Sequence, residues 1–249
     1  MSPMKIWCIC PFSRADFLSN TLENFDRQSY ADKRLVLVAN GAAANTRVSH
    51  SKTTVLRSRT GLSEPMNIGL EYARKRCDAD DWFCKFDDDD YYGPEYLNSI
   101  AQRANDSQAI ARTKVWMRTP EGMLWTVDNG ELSPHGPTLA SRVDVADDFP
   151  EVHGWGEDGL WVQSMLAKGI VFSNGPLEGF CWIRYPKGHG HSYPLQSRHF
   201  RMLGVGIEEF GRYDVRVVDG QEIRQGKVLE PLPMDMADFA ATLGASIGK

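Results

Sequence analysis

Short apolar runs alternate with segments of helical spacing along the first hundred residues, and no other feature constrains the fold as tightly. Residues 5–10 read as a buried strand ended by Pro11, and 34–39 (RLVLVA) as a second, closed by the turn pair Asn40-Gly41. A short third strand is expected at 55–56, and a fourth at 82–86. Between them, Phe17, Leu18, Thr21, Leu22 and Phe25 recur at helical spacing over about 16–28, and Pro65 opens a helix carrying Met66, Leu70 and Ala73. Gly93-Pro94 opens another through about residue 104. Strands with no polar alternation, separated by amphipathic helices, belong to a mostly parallel sheet covered by helices on both faces. Ligands of such sheets bind beyond the carboxyl ends of the strands. The segments 11–14, Asn40-Gly41 and Asp87–Asp90 fall at those ends, and the topology predicts that they converge.

From Arg112 the pattern shifts. Residues 114–117 and 123–127 flank Thr119-Pro120-Glu121-Gly122, a type I turn signal, so a hairpin is expected. Residues 136–141 are a further candidate strand, 157–168 a helix ended by Gly169, and 180–185 another strand. One domain over 1–215 is expected, with a nucleotide-binding half (1–110), an acceptor-binding half (111–215) and a C-terminal extension with a short helix (216–249).

Bulk properties exclude several classes. The 249 residues carry 28 Lys+Arg against 33 Asp+Glu, a net charge of −5 that weighs against a general nucleic-acid binder. Five Cys without a CxxC pair form neither a zinc pattern nor a disulfide framework. Cys8 and Cys10 alternate with Ile9, so both are expected on one strand face as small hydrophobes, in a reducing, cytoplasmic setting. The apolar stretch 6–12 is too short for a signal peptide, and no window approaches the ~20 apolar residues of a membrane span.

Residues 78–95 hold eight acids and one base, Lys85. Charge runs are commonly solvated loops, but Asp87-Asp88-Asp89-Asp90 follows an aromatic-rich strand directly. Two carboxylates about 6 Å apart repel by about 3 kcal/mol at an effective dielectric of ~20, and by under about 1 kcal/mol in bulk water. A divalent cation is the natural relief at a partly buried sheet edge. Oxygen ligands favour Mg²⁺ or Mn²⁺, which also bind phosphate oxygens.

The run Phe86-Asp87-Asp88-Asp89-Asp90-Tyr91 resembles the DxD motif of GT-A fold glycosyltransferases, particularly those of family 2. Further elements resemble that family in order and spacing: Ile9-Cys10-Pro11 its first strand, Gln28-Ser29-Tyr30 its Q-[ST]-[YF], Asn67-Ile68-Gly69-Leu70 its N-x-G-[LI], and Gly156-Glu157-Asp158 its late E-D pair. Val38-Ala39-Asn40-Gly41 stands where the family has V-D-D-G-S. The resemblance implies a GT-A fold and transfer of a sugar from a nucleoside-diphosphate sugar, with uracil the default base. Under it, Asp87 contacts ribose or metal, Asp88 and Pro11 lie at the nucleotide sugar, Asp89 ligates the metal holding the diphosphate, and Asn40 faces the base. Asp158 resembles the general base of inverting members, with Glu157 beside it. Acids in a first helical turn are also favoured by about 0.3–1 kcal/mol through the macrodipole alone. Trp155 is either a stacking platform for an acceptor ring or core.

Residues 184–201 contain Arg184, Lys187, Arg198, Arg201, three His and no acid. By resemblance this segment folds over the diphosphate, with Arg184 and Lys187 on phosphate oxygens and His189 or His191 as a third metal ligand; a solvated loop is the alternative. Acceptors consistent with this reading are a saccharide, a lipid-linked glycan or hydroxymethylated bases of viral DNA. A non-catalytic carbohydrate- or cation-binding module is the alternative of a different class.

Overall fold

The computed structural model describes residues 4–184, apart from 60, 62, 119–123, 130–133 and 153–155. The expected turn at 119–122, the basic segment from 185 onward and the extension at 216–249 lie outside the described residues.

Seven strands build the main sheet: β1 (Ile6–Phe12), β2 (Lys33–Ala39), β3 (Thr53–Arg57), β4 (Trp82–Lys85), β6 (Ala109–Ala111), β9 (Ala140–Arg142) and β10 (Phe172–Asn174). Their order is β10-β6-β9-β4-β1-β2-β3. The β1–β2, β2–β3, β1–β4 and β6–β10 pairs are parallel, while β9 runs antiparallel to both neighbours. The chain steps outward from β1 to β2 and β3, then returns to lay β4 on the other side of β1. That reversal opens a crevice at the carboxyl ends of β1 and β4, where open α/β sheets bind ligands. A second sheet, ordered β5-β11-β7-β8, is formed by β5 (Tyr91–Tyr92), β7 (Lys114–Arg118), β8 (Leu124–Asp128) and β11 (Phe180–Ile183). The expected hairpin is its β7–β8 pair, with Arg118 opposite Leu124.

Alternation along β1 assigns its two faces. Ile6, Cys8 and Cys10 join Phe25 of α1 (Leu18–Asp26) and Leu97 and Ile100 of α3 (Tyr96–Arg103). Trp7 and Ile9 join Met66, Leu70 and Ala73 of α2 (Ser63–Arg74) and Trp161, Val162 and Met165 of α4 (Glu157–Ala167). Helices cover both faces, as the buried strands required. Cys8 and Cys10 sit on one face as expected, and all five cysteines are free. Gly69 explains how α2 lies so close to the sheet. A Cβ there would meet Ile9 Cγ2 at 2.4 Å, so any larger residue lifts the helix.

Several short elements were not visible in periodicity. The two- and three-residue strands β5, β6 and β10 are stabilised by cross-strand pairing and carry no pattern of their own. Residues 136–141, read as a strand, begin as a 3-10 turn at Gly136–Thr138 and become strand only at Ala140. Among the described residues no helix is long and apolar enough to cross a membrane.

Candidate active site

The four aspartates leave β4 into a turn that α1 holds from beneath. Asn20 and Asn24 stack along one side of that helix, and Gln28, two residues past its end, continues the four-residue spacing. Asn20 Nδ2 donates to the carbonyls of Asp88 (2.7 Å) and Asp90 (3.0 Å), and Asn24 Nδ2 to that of Asp90 (2.8 Å). Gln28 Nε2 donates to the carbonyls of Tyr92 (3.1 Å) and Gly93 (2.9 Å), while its Oε1 accepts from the Leu97 N–H. Tyr92 stacks on Phe86 with centroids 4.0 Å apart, and its hydroxyl accepts from the Asp87 N–H at 2.8 Å. The Asp88 and Asp90 carbonyls and the Asp87 N–H of the turn are thereby satisfied by side chains packed behind it.

One of the turn's carboxylates, Asp90, is short of a donor among the described residues. Asp87, Asp89 and Asp90 each place one oxygen within 4.8 Å of the others. Asp90 is 1% exposed; its Oδ1 accepts from the Ile183 N–H at 2.9 Å, and its Oδ2 has no hydrogen-bond partner among the described residues. Desolvation pushes Asp87 up to about 7; Lys85 opposes the shift, and Asp158, Asp89 and Asp88 add to it. Desolvation and then Asp89 raise Asp88 to about 6 against the pull of Arg14. Asp90 is held well above the ordinary carboxylate range by burial, then by Asp89 and Asp87.

Two cations unassigned by the sequence reading meet this cluster. Arg14, two residues past β1, pairs with Asp88 and with Asp89, the latter at 3.0 Å, and lies over the Phe17 ring. Lys85, the last residue of β4, is buried and places Nζ 2.6 Å from Asp158 Oδ2 and 3.5 Å from Asp87 Oδ1. Lys85 was visible as the one base in an acidic run, but its partner Asp158 is 73 residues away.

Asp158 occupies the first turn of α4, entered through Gly156 at φ +116°, a conformation that favours glycine. Its Oδ1 is buried with no hydrogen-bond partner among the described residues. Glu157 is buried beside it, its Oε2 accepting from the Gly156 N–H; burial and then Asp158 raise its carboxyl.

Pro11 is the penultimate residue of β1, beyond the last β1–β4 pair, where a missing N–H is tolerated. Asn40 follows β2; its N–H donates to the Phe12 carbonyl and its Nδ2 to that of Gly61, and buried Oδ1 finds no partner among the described residues. Arg184 follows β11. Its guanidinium lies 3.3 Å from the Trp182 ring centroid, and its Nε and Nη2 are buried with no partner among the described residues. Burial lowers it to about 10, with Asp90, Asp89 and Asp87 pulling it back up. Lys85 thus links Asp87 to Asp158, Arg14 links Asp88 to Asp89, and Asp87, Asp89 and Asp90 lie close enough to share an ion. Trp155, Lys187, His189 and His191 lie outside the described residues.

Comparison with known proteins bears on this arrangement. The sequence profile described as Glycosyl transferase family 2 matches residues 6–139, which is more than half of the chain. No curated protein matches in sequence. Among solved structures, the mannosyltransferase PcManGT from Pyrobaculum calidifontis, in complex with GDP-Man and Mn²⁺, superposes with a TM-score of 0.54 at 16% identity, over 97% of this chain and 68% of its own. Residues 1–349 of S. aureus TarS, in complex with UDP-GlcNAc, match at a TM-score of 0.47 and 15% identity, over 90% of this chain and 73% of that one. Another S. aureus TarS structure matches at 0.47 and 17% identity over 72% of this chain, and this chain spans 37% of it. A profile that begins at the first strand, takes in the acidic turn and ends at the start of β9 covers the whole sheet reversal on which the crevice depends, so the chain belongs to glycosyl transferase family 2 and is a glycosyltransferase of the GT-A fold.

Proposed function

We propose that the chain moves a sugar from a nucleoside-diphosphate sugar to an acceptor hydroxyl, assisted by a divalent metal and with inversion at the anomeric carbon. One observation carries this reading. Three carboxylates each offer an oxygen within 4.8 Å of the others at the sheet reversal, and Lys85 joins one of them, Asp87, to Asp158.

The cluster suits Mn²⁺ or Mg²⁺. Its donors are hard oxygens, buried Asp90 Oδ2 lacks a partner among the described residues, and the Asp87 and Asp90 carboxyls are raised by burial and by repulsion from neighbouring acids, which a cation reverses. Asp87, Asp89 and Asp90 are the residues that would hold the ion; Asp90 is an addition to the ligands read from sequence. Bound there, the metal would neutralise charge on the departing diphosphate. Asp88, held by Arg14, then lines the donor side. The Arg184 N–H groups, unpartnered among the described residues, suit a phosphate oxygen, since a buried guanidinium gains most from a charged acceptor. Asn40, with its free oxygen at the end of β2, suits a base N–H, and a uridine diphosphate sugar is the first donor to test. His189 or His191 completes the metal's ligands in this reading, Lys187 adds to the phosphate contacts, and Trp155 stacks on the acceptor.

Asp158 is the base. It takes the proton of the acceptor hydroxyl as the oxygen attacks the anomeric carbon and the bond to the diphosphate breaks, a role typically worth ~10²–10⁴-fold in rate. The test is a panel of nucleotide sugars with and without Mn²⁺ or Mg²⁺. Thermal stabilisation by a sugar nucleotide only when metal is present is the expected result, and none with any pair overturns the donor assignment. Asp158→Asn should keep that stabilisation while transfer falls by ~10²–10⁴-fold; full turnover in this variant overturns the base assignment.

A further inference from the structure

We infer that Lys85 is a positioning residue for the base: it fixes the Asp158 carboxylate against Gly136. The inference rests on Asp158 being the base, as proposed above.

The contacts define a two-sided seat. Lys85 Nζ donates to Asp158 Oδ2 at 2.6 Å, and Lys85 is itself fixed as the last residue of a central strand, paired to β1 and bonded through its N–H to the Leu139 carbonyl at 2.8 Å. The same oxygen lies against Gly136, where a Cβ would come within 1.9 Å of Oδ2 and 2.6 Å of the carboxyl carbon. Only a residue without a side chain leaves the carboxylate where it is. Gly136 stands at the head of the 3-10 turn that leads into β9, so a strand and a turn grip one carboxylate. Oδ1 is buried and has no hydrogen-bond partner among the described residues. A carboxylate on an exposed first turn of a helix would sample several rotamers. Seated this way it has one orientation, and a misplacement of about 1 Å in such a group can cost ~10²-fold in rate.

Two variants attack the seat from opposite sides. Lys85→Met removes the donor, and Gly136→Ala drives Asp158 off it while leaving Lys85 beside Asp87. Each should lower kcat about 10- to 100-fold while donor KM and metal-dependent donor affinity move less than about threefold. Lys85→Arg, which keeps a donor, should recover part of the loss. In an Asp158→Asn background neither substitution should reduce the residual rate further, because residues acting through one group are not additive.

A Lys85→Met variant that keeps kcat but loses donor affinity overturns the inference and assigns Lys85 to Asp87. So does a loss that multiplies with that of Asp158→Asn. Should Lys85→Met fail to fold, Gly136→Ala carries the same test through the same split. Wild-type kcat in both seat variants, with Asp158→Asn inactive, sinks the seat and leaves the base standing; full activity of Asp158→Asn sinks the base itself.

Discussion

Strand β4 is four residues long and has aspartates at both ends, and the two ends have opposite characters. At its start, Asp81 is 1% exposed and well supplied with donors. It accepts from the Lys5 N–H (2.9 Å), the Trp7 indole (3.3 Å) and the Asp78 N–H (3.1 Å), with Lys5 Nζ at 3.5 Å. At its end, Asp87, Asp88 and Asp90 are raised by burial, and Asp90 keeps an oxygen without a partner among the described residues. A buried carboxylate that serves the fold comes with its hydrogen bonds in place. One that serves a ligand is left short, and its raised proton affinity records the deficit.

The difference can be broken experimentally. Asp89→Ala should have the largest effect, removing metal-dependent donor stabilisation and lowering turnover by about 10²–10³-fold, the scale of losing one preorganised charge contact. Thermal shift with Mn²⁺ and turnover assays read both, and the fold should survive. Asp81→Ala should behave oppositely. Stranding the Lys5 and Asp78 N–H groups and the Trp7 indole should cost about 2–3 kcal/mol in denaturant unfolding, with donor affinity unchanged.

A smaller effect comes from pH. Asp87 sits at about 7 in the folded chain against an ordinary 3.8, so the folded state binds more protons than the unfolded one between those values. The metal-free chain should therefore lose stability as pH rises from about 4 through about 7, by an amount on the order of 1 kcal/mol. Asp87→Asn should reduce that slope, leaving the part due to Asp88 and Asp90, and saturating Mn²⁺ should reduce it further; an equal slope in wild type and Asp87→Asn would show that Asp87 is not a source of it. The least effect is expected from Asp80, an exposed acid of the same run. Asp80→Ala should change stability by under about 0.5 kcal/mol and leave activity untouched.

Much of the architecture was legible because its causes are local. Apolar runs and helical spacing located β1, β2, β4, α1, α2 and α4, and the direct passage of β4 into four acids marked the crevice. The family motifs were legible as letters but not as causes. Gln28, Asn67 and Gly69 hold structure: Gln28 clamps the turn after the aspartates, and Gly69 lets α2 approach Ile9. Asn67 brackets Phe149, donating to its carbonyl and accepting from its N–H. The row Asn20, Asn24, Gln28 carried a readable signal, a polar stripe at four-residue spacing on a helix otherwise packed on apolar core. Arg14 and Lys85 were legible only by place, one in a segment expected to converge on the acids and the other as the one base among them; their partners Asp88 and Asp158, more than seventy positions away, were not.

The sequence by itself determined that a sheet of buried strands would form with helices on both faces, and that acids would crowd the end of one of them. Those outcomes follow from periodicity and strand-end composition, which act within a few residues. Which acids would be satisfied, and which would be left facing a crevice with a lysine shared between two of them, was decided by tertiary structure alone. Hydrogen-bond supply and desolvation depend on what the fold brings within about 3 Å, and a linear chain does not contain that distance.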